Sequence, residues 1–223
     1  EMMDRNAWCP STMLAIAVIA FCSIINYVGI KQSAIMNTLC TAIEAIGLLI
    51  IIALGIPKIG SVNLLEMPNG WTGVFQATAL VFFAYMGFET IVKLTEETKN
   101  PTKNIPLGIV YSLIVTTIIY VLVSISALSI LDWQTLGSSQ APLAQVAATS
   151  LGQIAFLVIA VIALFSTSNT ILMTVVTTSR LVYGMAEQSA LPRFLARVNP
   201  LHHTPTLAIL FTGLVTSVLV FMK

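Results

Sequence analysis

Residues 71–92 read WTGVFQATALVFFAYMGFETIV, an apolar run in which Glu89 is the only charged residue. An α-helix needs about 20 predominantly apolar residues to cross the hydrocarbon core of a bilayer. Five other runs in the chain meet the same criterion. The sequence therefore predicts six membrane-spanning segments, at residues 12–30, 33–54, 71–92, 105–131, 151–179 and 204–222.

The composition of the chain agrees with a membrane location. Of its 223 residues, 57% are hydrophobic and 9% are charged, whereas about 25% of the residues in a soluble domain are charged. Backbone polar groups inside hydrocarbon have to be satisfied within their own segment, so the apolar runs are predicted to be helices. The predicted fold class is an all-α polytopic membrane protein.

The basic residues predict the orientation of the spans. If the spans alternate in direction, seven of the ten Lys and Arg residues lie on one side of the membrane. The positive-inside rule then places the loops near residue 31, at 93–104 and at 180–203 in the cytoplasm. In the last of these loops, apolar residues at 191, 194, 195 and 198 lie opposite Arg193 and Arg197. This pattern predicts a short amphipathic helix on the cytoplasmic surface.

The third span contains a candidate interruption near Tyr85–Gly87. A glycine in a helix interior costs about 1 kcal/mol relative to alanine, although in membranes glycine is also common where two helices pack closely. Here an acid follows Gly87 two residues later, and aromatic residues flank it on both sides. A broken helix exposes backbone carbonyls and amides near mid-membrane, where they can hold a charged substrate.

Two acids inside predicted spans, Glu44 and Glu89, are candidate proton-coupling groups. A charged side chain deep in a span costs about 3 kcal/mol. Glu89 either lies at the interface, close to Lys93, or lines a cavity. Glu44 is either a structural group bonded to a neighbouring helix or a proton site. It shares a helix face with a stripe of small and polar residues predicted to face a helix bundle, namely Asn37, Cys40, Thr41 and Gly47.

The fifth span has hydroxyl side chains on one face, at Ser166, Thr170, Thr174 and Thr177. They either bond back to carbonyls of their own helix or form the wall of a substrate or cation site, for which Ser166 and Thr170 are the candidates. No nucleotide loop, nucleophile elbow, zinc motif or basic stripe occurs in the sequence. We therefore expect no enzyme activity, cofactor, metal ion or nucleic acid partner.

Two motifs, one after the other along the chain, resemble those of the amino acid permeases of the amino acid–polyamine–organocation superfamily. Phe82–Glu89, continuing through Glu96–Pro101 to Ile105-Pro106, is similar to the sixth helix and following loop of that family. The second motif is similar to the end of the family's eighth helix and the loop after it, and comprises Ser179–Ala186, Leu191-Pro192 and Thr204-Pro205. The resemblance covers nearly the whole chain.

The resemblance implies a LeuT-type bundle of 5+5 inverted repeats, of which residues 1–223 are a single transmembrane fragment covering about helices 4–9. Residues 1–55 would end the first repeat and residues 71–223 would belong to the second. The third span, which opens the second repeat, would be discontinuous near Tyr85–Gly87. The remaining helices of the same protein, including the first helix that completes the binding site, would lie outside this chain.

The resemblance also implies roles for individual residues. The carbonyls of Phe83, Ala84 and Met86 would receive the amino group of the substrate. The region from Tyr85 through Gly87 to Phe88 would form the pocket wall or gate. Glu89 matches an acid tied to proton sensing. Glu44 stands where some proton-coupled relatives have a lysine, which is a departure from the family's pattern.

The function implied is secondary-active amino acid transport across the plasma membrane by alternating access, with the proton as coupling ion and sodium as the other candidate. The expected partners are an amino acid substrate, the coupling ion and membrane lipid. The alternatives within transport are a carrier of polyamines or organic cations and an amino acid exchanger. A scaffold or sensor that does not transport is the alternative outside it.

Overall fold

The computed structural model describes residues 8–64, 66–87, 91–92, 95, 98–200 and 204–221, with only the backbone described for residues 8–11 and 221. All of the longer elements in this part of the chain are α-helices, which confirms the predicted all-α class there. They are α1 (Trp8–Val28), α2 (Ile30–Gly55), α3 (Gly70–Ala84), α4 (Pro101–Ile130), α5 (Trp133–Ser138), α6 (Pro142–Leu151), α7 (Gln153–Glu187) and α8 (Thr206–Phe221).

Each predicted span overlaps one of these helices. Within the described residues, three segments are long and apolar enough to cross a membrane, at Ile30–Lys58, Pro101–Ile130 and Gln153–Glu187. Three shorter apolar segments occupy the other predicted spans, at Thr12–Val28, Gly70–Ala84 and Thr206–Val220. At about 1.5 Å per residue, α3 reaches about 22 Å, which is less than the roughly 30 Å of a hydrocarbon core. Six crossings therefore remain a prediction.

Two helix boundaries differ from the sequence-based ones. Helix α4 begins at Pro101 rather than at residue 105, because proline needs no N–H partner in the first turn of a helix. Helix α7 continues to Glu187, past the predicted end at residue 179. It ends where Ser189 adopts φ 63°. The Ala190 and Ser189 N–H groups then bond the Met185 and Ala186 carbonyls at 2.8 and 3.1 Å, which is a Schellman motif.

The chain divides into two compact units, with residues 1–43 and 164–223 in unit 1 and residues 44–163 in unit 2. In unit 1, α1 packs along α8 and its Asn26 side chain donates to the Ser179 hydroxyl of α7 at 3.0 Å. Hydrogen bonds join the loop before α8 to the end of α1. Asn199 of the loop donates to the hydroxyl of Tyr27 in α1 at 3.3 Å. Thr204 donates to the Tyr27 carbonyl at 3.0 Å.

Unit 2 is held by an apolar core between α2, α4, α6 and the start of α7, formed by Ile51, Ala127, Ala144, Val146, Ala147 and Ile159. Helices α2 and α4 approach closely at Gly55, where an added Cβ would lie 2.4 Å from the Ser126 Cα. Only glycine fits this contact. Helix α5 begins after Asp132, which accepts the Thr135 N–H at 2.9 Å. The bond from the Thr135 hydroxyl and this backbone bond together lower the pKa of the Asp132 carboxyl.

Candidate functional site

Helix α3 ends immediately before the segment in which the interruption is predicted. Its last residue is Ala84, and Tyr85–Gly87 form a turn in which Gly87 has φ +114°. The Tyr85 N–H bonds the Phe82 carbonyl at 3.1 Å, and the Met86 N–H bonds the Phe83 carbonyl at the same distance. Phe88 and Glu89 lie outside the described residues. The second half of the interrupted span and the position of Glu89 therefore remain predictions.

Gly87 is required for its backbone conformation and not for lack of space. A Cβ placed on it would have no atom within 4 Å. A residue with a side chain rarely adopts this φ, because its Cβ collides with its own backbone. The turn after α3 therefore depends on glycine at this position.

Two hydroxyl groups from α4 bind the end of α3. The Tyr120 hydroxyl donates to the Ala84 carbonyl at 3.3 Å, and the hydroxyls of Tyr85 and Thr117 lie 3.1 Å apart. The single hydroxyl proton of Thr117 goes to the Leu113 carbonyl at 2.8 Å, so Tyr85 is the donor to Thr117. The Tyr85 and Tyr120 rings meet edge to face, with centroids 5.7 Å apart. The two hydroxyl bonds and the ring contact hold the turn against α4.

The end of α3 is a place where a cation is favoured. The last carbonyls of a helix have no partner within the helix and carry the partial negative charge of its dipole. The Ala84 carbonyl accepts the Tyr120 hydroxyl, and a carbonyl oxygen can accept two hydrogen bonds. Glu44 on α2 belongs to the same compact unit as Tyr120. Unit 2 therefore combines a helix carbonyl end, two aromatic rings and a carboxyl group.

The predicted substrate-binding residues, 83–87, lie at the end of α3 and in the turn after it, but their surroundings differ. The side chains of Phe83 and Met86 are 65% and 63% exposed in the described chain. The Phe83 carbonyl already accepts the Met86 N–H. Ala84 has the carbonyl that a side chain of another helix binds, which makes it the best candidate among the three predicted carbonyls.

Ser166 and Thr170 lie on α7 in unit 1. The Thr170 hydroxyl donates to the Ser166 carbonyl at 3.2 Å, and Thr174 donates to the Thr170 carbonyl at 2.7 Å. Thr177 bonds back to Met173 in the same way, at 2.9 Å. The hydroxyls of Thr170, Thr174 and Thr177 therefore bond back to carbonyls of their own helix. This is the structural one of the two alternatives predicted for this face. A role for Ser166 and Thr170 as a site wall remains a prediction.

The polar stripe on α2 faces other helices in part. Cys40 and Gly47 are buried, and an added Cβ on Gly47 would lie 2.9 Å from the Ile162 side chain. Thr41 accepts a bond from Asn169 of α7 at 3.4 Å. Glu44, which lies between Thr41 and Gly47 on α2, is half-buried.

Sequence reasoning missed Thr117 and Tyr120. They are hydroxyl side chains three residues apart in an otherwise apolar run, so they share one face of α4. The three-residue spacing of Thr117 and Tyr120 is the sequence feature from which this polar face could have been predicted. Among the residues that the structure describes, no group of three His, Cys, Asp or Glu side chains could hold a metal ion.

Comparison with known proteins gives a consistent group of relatives. A family model described as amino acid permease matches residues 3–222. The branched-chain amino acid permease of Bacillus subtilis (strain 168) is 31% identical over 206 residues, which are 92% of this chain and 44% of that protein. Cationic amino acid transporter 1 of Arabidopsis thaliana is 31% identical over 210 residues, or 93% and 35% of the two chains.

A third relative, the methylthioribose transporter of Bacillus subtilis (strain 168), is 31% identical over 191 residues, which are 85% of this chain and 41% of that protein. The chain therefore spans less than half the length of each of these three relatives. The names describe permeases and transporters and not enzymes, which confirms the non-enzymatic interpretation.

Proposed function

We propose, from the premise that this chain belongs to the amino acid permease family, that it forms the part of a secondary-active transporter that binds the amino group of an amino acid. The observation that carries the proposal is the carbonyl end of α3, where the Tyr120 hydroxyl bonds the Ala84 carbonyl beside the Gly87 turn. Transport proceeds by alternating access around a site near mid-membrane.

The chemistry of this site suits an ammonium group. Helix carbonyls at a C-terminus attract a positive charge, and the faces of aromatic rings such as Tyr85 and Tyr120 attract it further. A carbonyl left without a partner in the membrane is costly. The Tyr120 hydroxyl bonds the Ala84 carbonyl, and the ammonium group shares or replaces that bond.

Proton coupling is the second part of the proposal. Glu44 lies on α2 in the same compact unit as Tyr120, so a proton taken up by Glu44 changes the charge of the unit that holds the carbonyl site. Glu89 is the other candidate, and sodium is the alternative coupling ion. The proposal also includes a LeuT-type bundle of two inverted repeats, completed by helices beyond this chain. It places the protein in the plasma membrane, with the loops near residue 31, at 93–104 and at 180–203 in the cytoplasm.

The test is uptake of labelled amino acids by proteoliposomes containing the full-length protein, with and without a pH gradient. Tyr120→Phe removes the hydroxyl that bonds Ala84 but keeps the ring. We expect it to change KM for the amino acid, because it alters the carbonyl that receives the amino group. Tyr111→Phe is the matched control, since Tyr111 lies on the same helix and is 65% exposed. Tyr120→Phe kinetics equal to those of the parent would contradict the proposed site.

A carrier of cationic substrates is the second candidate, because the acid Glu44 belongs to the same unit as the site and one relative is named a cationic amino acid transporter. Competition of leucine, lysine and a diamine against the labelled substrate distinguishes the two. Inhibition by lysine and the diamine, but not by leucine, would favour the cation carrier. An exchanger would take up label only into vesicles loaded with unlabelled amino acid. A scaffold or sensor would show no uptake under either condition.

A further inference from the structure

One end of unit 1 carries a concentration of positive charge that the transport proposal does not use. This is the end where α1 finishes, α2 begins, α7 finishes and α8 begins. The exposed cations there are Lys31, Arg193 and Arg197, whereas Glu187 is the one acid among the described residues of this end. We call Lys31, Arg193, Arg197 and the neighbouring side chains of Phe194 and Val198 the basic surface.

The segment that carries the two arginines is fixed to the unit. The Schellman motif at Ser189 turns the chain back after α7. A short 3₁₀ turn follows at Arg193–Ala196, and its Leu195 is only 2% exposed. Beyond it, Asn199 and Thr204 bond Tyr27 at the end of α1. The arginines are therefore held at the same end of the unit as Lys31, which lies in the first turn of α2.

The exposed groups of this segment are of two kinds. Arg193 and Arg197 are exposed cations, and the only side-chain contact of Arg193 given by the described residues is a pair of 3.4 Å bonds to the Ser189 hydroxyl, at the long limit for a hydrogen bond. Phe194 and Val198 are 53% and 45% exposed. Cations beside exposed apolar side chains are typical of segments that lie in the headgroup region of a membrane.

The position of the basic surface in the chain agrees with a location in the headgroup region. It follows α7, one of the helices long and apolar enough to cross a membrane. The 35 residues of α7 extend about 52 Å, whereas the hydrocarbon core is roughly 30 Å thick. The end of α7 can therefore reach the headgroup layer and carry the basic surface with it.

We infer that the basic surface binds the headgroups of anionic phospholipids, with Arg193 and Arg197 pairing with phosphate and Phe194 inserting beside them. Arginine suits phosphate because its planar guanidinium donates two parallel bonds. This interaction is independent of the substrate site in unit 2 and would persist if the transport proposal were wrong.

The test places a photoreactive p-benzoylphenylalanine at position 194 of the full-length protein, in vesicles of equal parts phosphatidylglycerol and phosphatidylcholine. Mass spectrometry then gives the ratio of the two lipids cross-linked at that position. We expect phosphatidylglycerol to dominate. Each cation near an anionic surface contributes a factor of about five in lipid binding. Arg193→Gln with Arg197→Gln should therefore bring the ratio close to one, whereas the Arg193→Lys, Arg197→Lys pair should largely keep it.

Two controls make the result specific. Lys58→Gln removes an exposed cation of unit 2 and should leave the ratio unchanged. Raising the salt concentration to about 1 M shortens the Debye length to about 3 Å and should lower the parent ratio without any substitution. A parent ratio near one, a ratio insensitive to the glutamine pair and to salt, or cross-linking to a protein in place of lipid would each overturn the inference.

Discussion

At the residue scale, the bond between Tyr120 and Ala84 can be interpreted as a helix cap or as a substitute for a bound ammonium group. A cap would only stabilise the end of α3, because helix-terminal carbonyls need partners. A substitute partner would also change substrate affinity when removed. KM separates the two interpretations, because a purely structural loss lowers the amount of folded carrier and leaves the affinity of the folded fraction unchanged.

Gly87→Ala tests whether the turn after α3 is needed for transport. The substitution meets no steric obstacle, but an alanine at φ +114° is strained by about 1–3 kcal/mol. We expect the turn to rearrange and amino acid uptake by the full-length protein to fall at least tenfold. Gly184→Ala is the control, because Gly184 lies inside α7 with open space around it. Equal losses in both variants would contradict a special role for Gly87.

Glu44→Gln tests proton coupling. Glutamine has the shape of a protonated glutamate but cannot take up or release a proton. We expect the pH dependence of uptake to be flatter than in the parent, and Glu89→Gln to have the same effect if Glu89 is the coupling group. Glu187→Gln, at an exposed acid of unit 1, should leave the pH profile unchanged. Unaltered profiles in both the Glu44 and Glu89 variants would exclude these two acids as the coupling groups.

The turn at Tyr85–Gly87 could be predicted because its signal is local, a glycine among aromatic residues inside an apolar run. The contacts that complete the site could not. The bond between Tyr120 and Ala84 joins residues 36 positions apart and depends on which face of α4 packs against α3. The hydroxyls of α7 show the converse, since a one-turn bond such as that of Thr170 to Ser166 follows from helix geometry alone.

At the element scale, the helices differ most from the predicted spans at ends with charged or proline residues nearby. The predicted fifth span stops at residue 179, before Arg180, but an arginine can extend its charged group towards the interface while its helix continues. Helix α7 accordingly runs on to Glu187. At α4, the predicted span begins at residue 105, whereas Pro101 opens the helix and Pro106 lies inside it.

Ser189→Gly tests the end of α7. Ser189 has φ 63°, a left-handed conformation that glycine adopts without the steric cost an L side chain meets. We expect the substitution to raise the free energy of unfolding by about 1 kcal/mol. The loss of the weak bond from Arg193 to the serine hydroxyl reduces this gain. Thermal unfolding of the full-length protein in detergent should show a higher midpoint for Ser189→Gly and a lower one for Ser189→Val. A lower midpoint for the glycine variant would contradict this account.

At the scale of the whole molecule, the family resemblance found in two short motifs is confirmed by a match over residues 3–222. The motifs sufficed because they combine residue types, order and separation. The number of crossings is a harder quantity to predict. An apolar run indicates where a helix forms, but α3 ends at Ala84 inside its run, and its remaining length depends on residues beyond the described turn.

The orientation of the chain gives the last prediction. The Tyr27 contacts place the start of α2 and the loop before α8 at one end of unit 1. Helix α2 and its 3₁₀ extension reach from Ile30 to Lys58 as one of the segments able to cross a membrane. Lys31 and Arg197 should therefore lie on one side of the bilayer and Lys58 on the other, with the positive-inside rule assigning the first two to the cytoplasm.

Cysteine substitutions at these three exposed positions test the orientation in intact cells that express the full-length protein. A membrane-impermeant maleimide should label Lys58→Cys from outside, but Lys31→Cys and Arg197→Cys only after the cells are permeabilised. Labelling of the unsubstituted protein gives the background from the native cysteines. If all three patterns are reversed, the orientation alone is wrong, because Lys31 and Arg197 still share a side. If Lys31→Cys and Arg197→Cys differ from each other, the contacts at Tyr27 do not hold in the membrane.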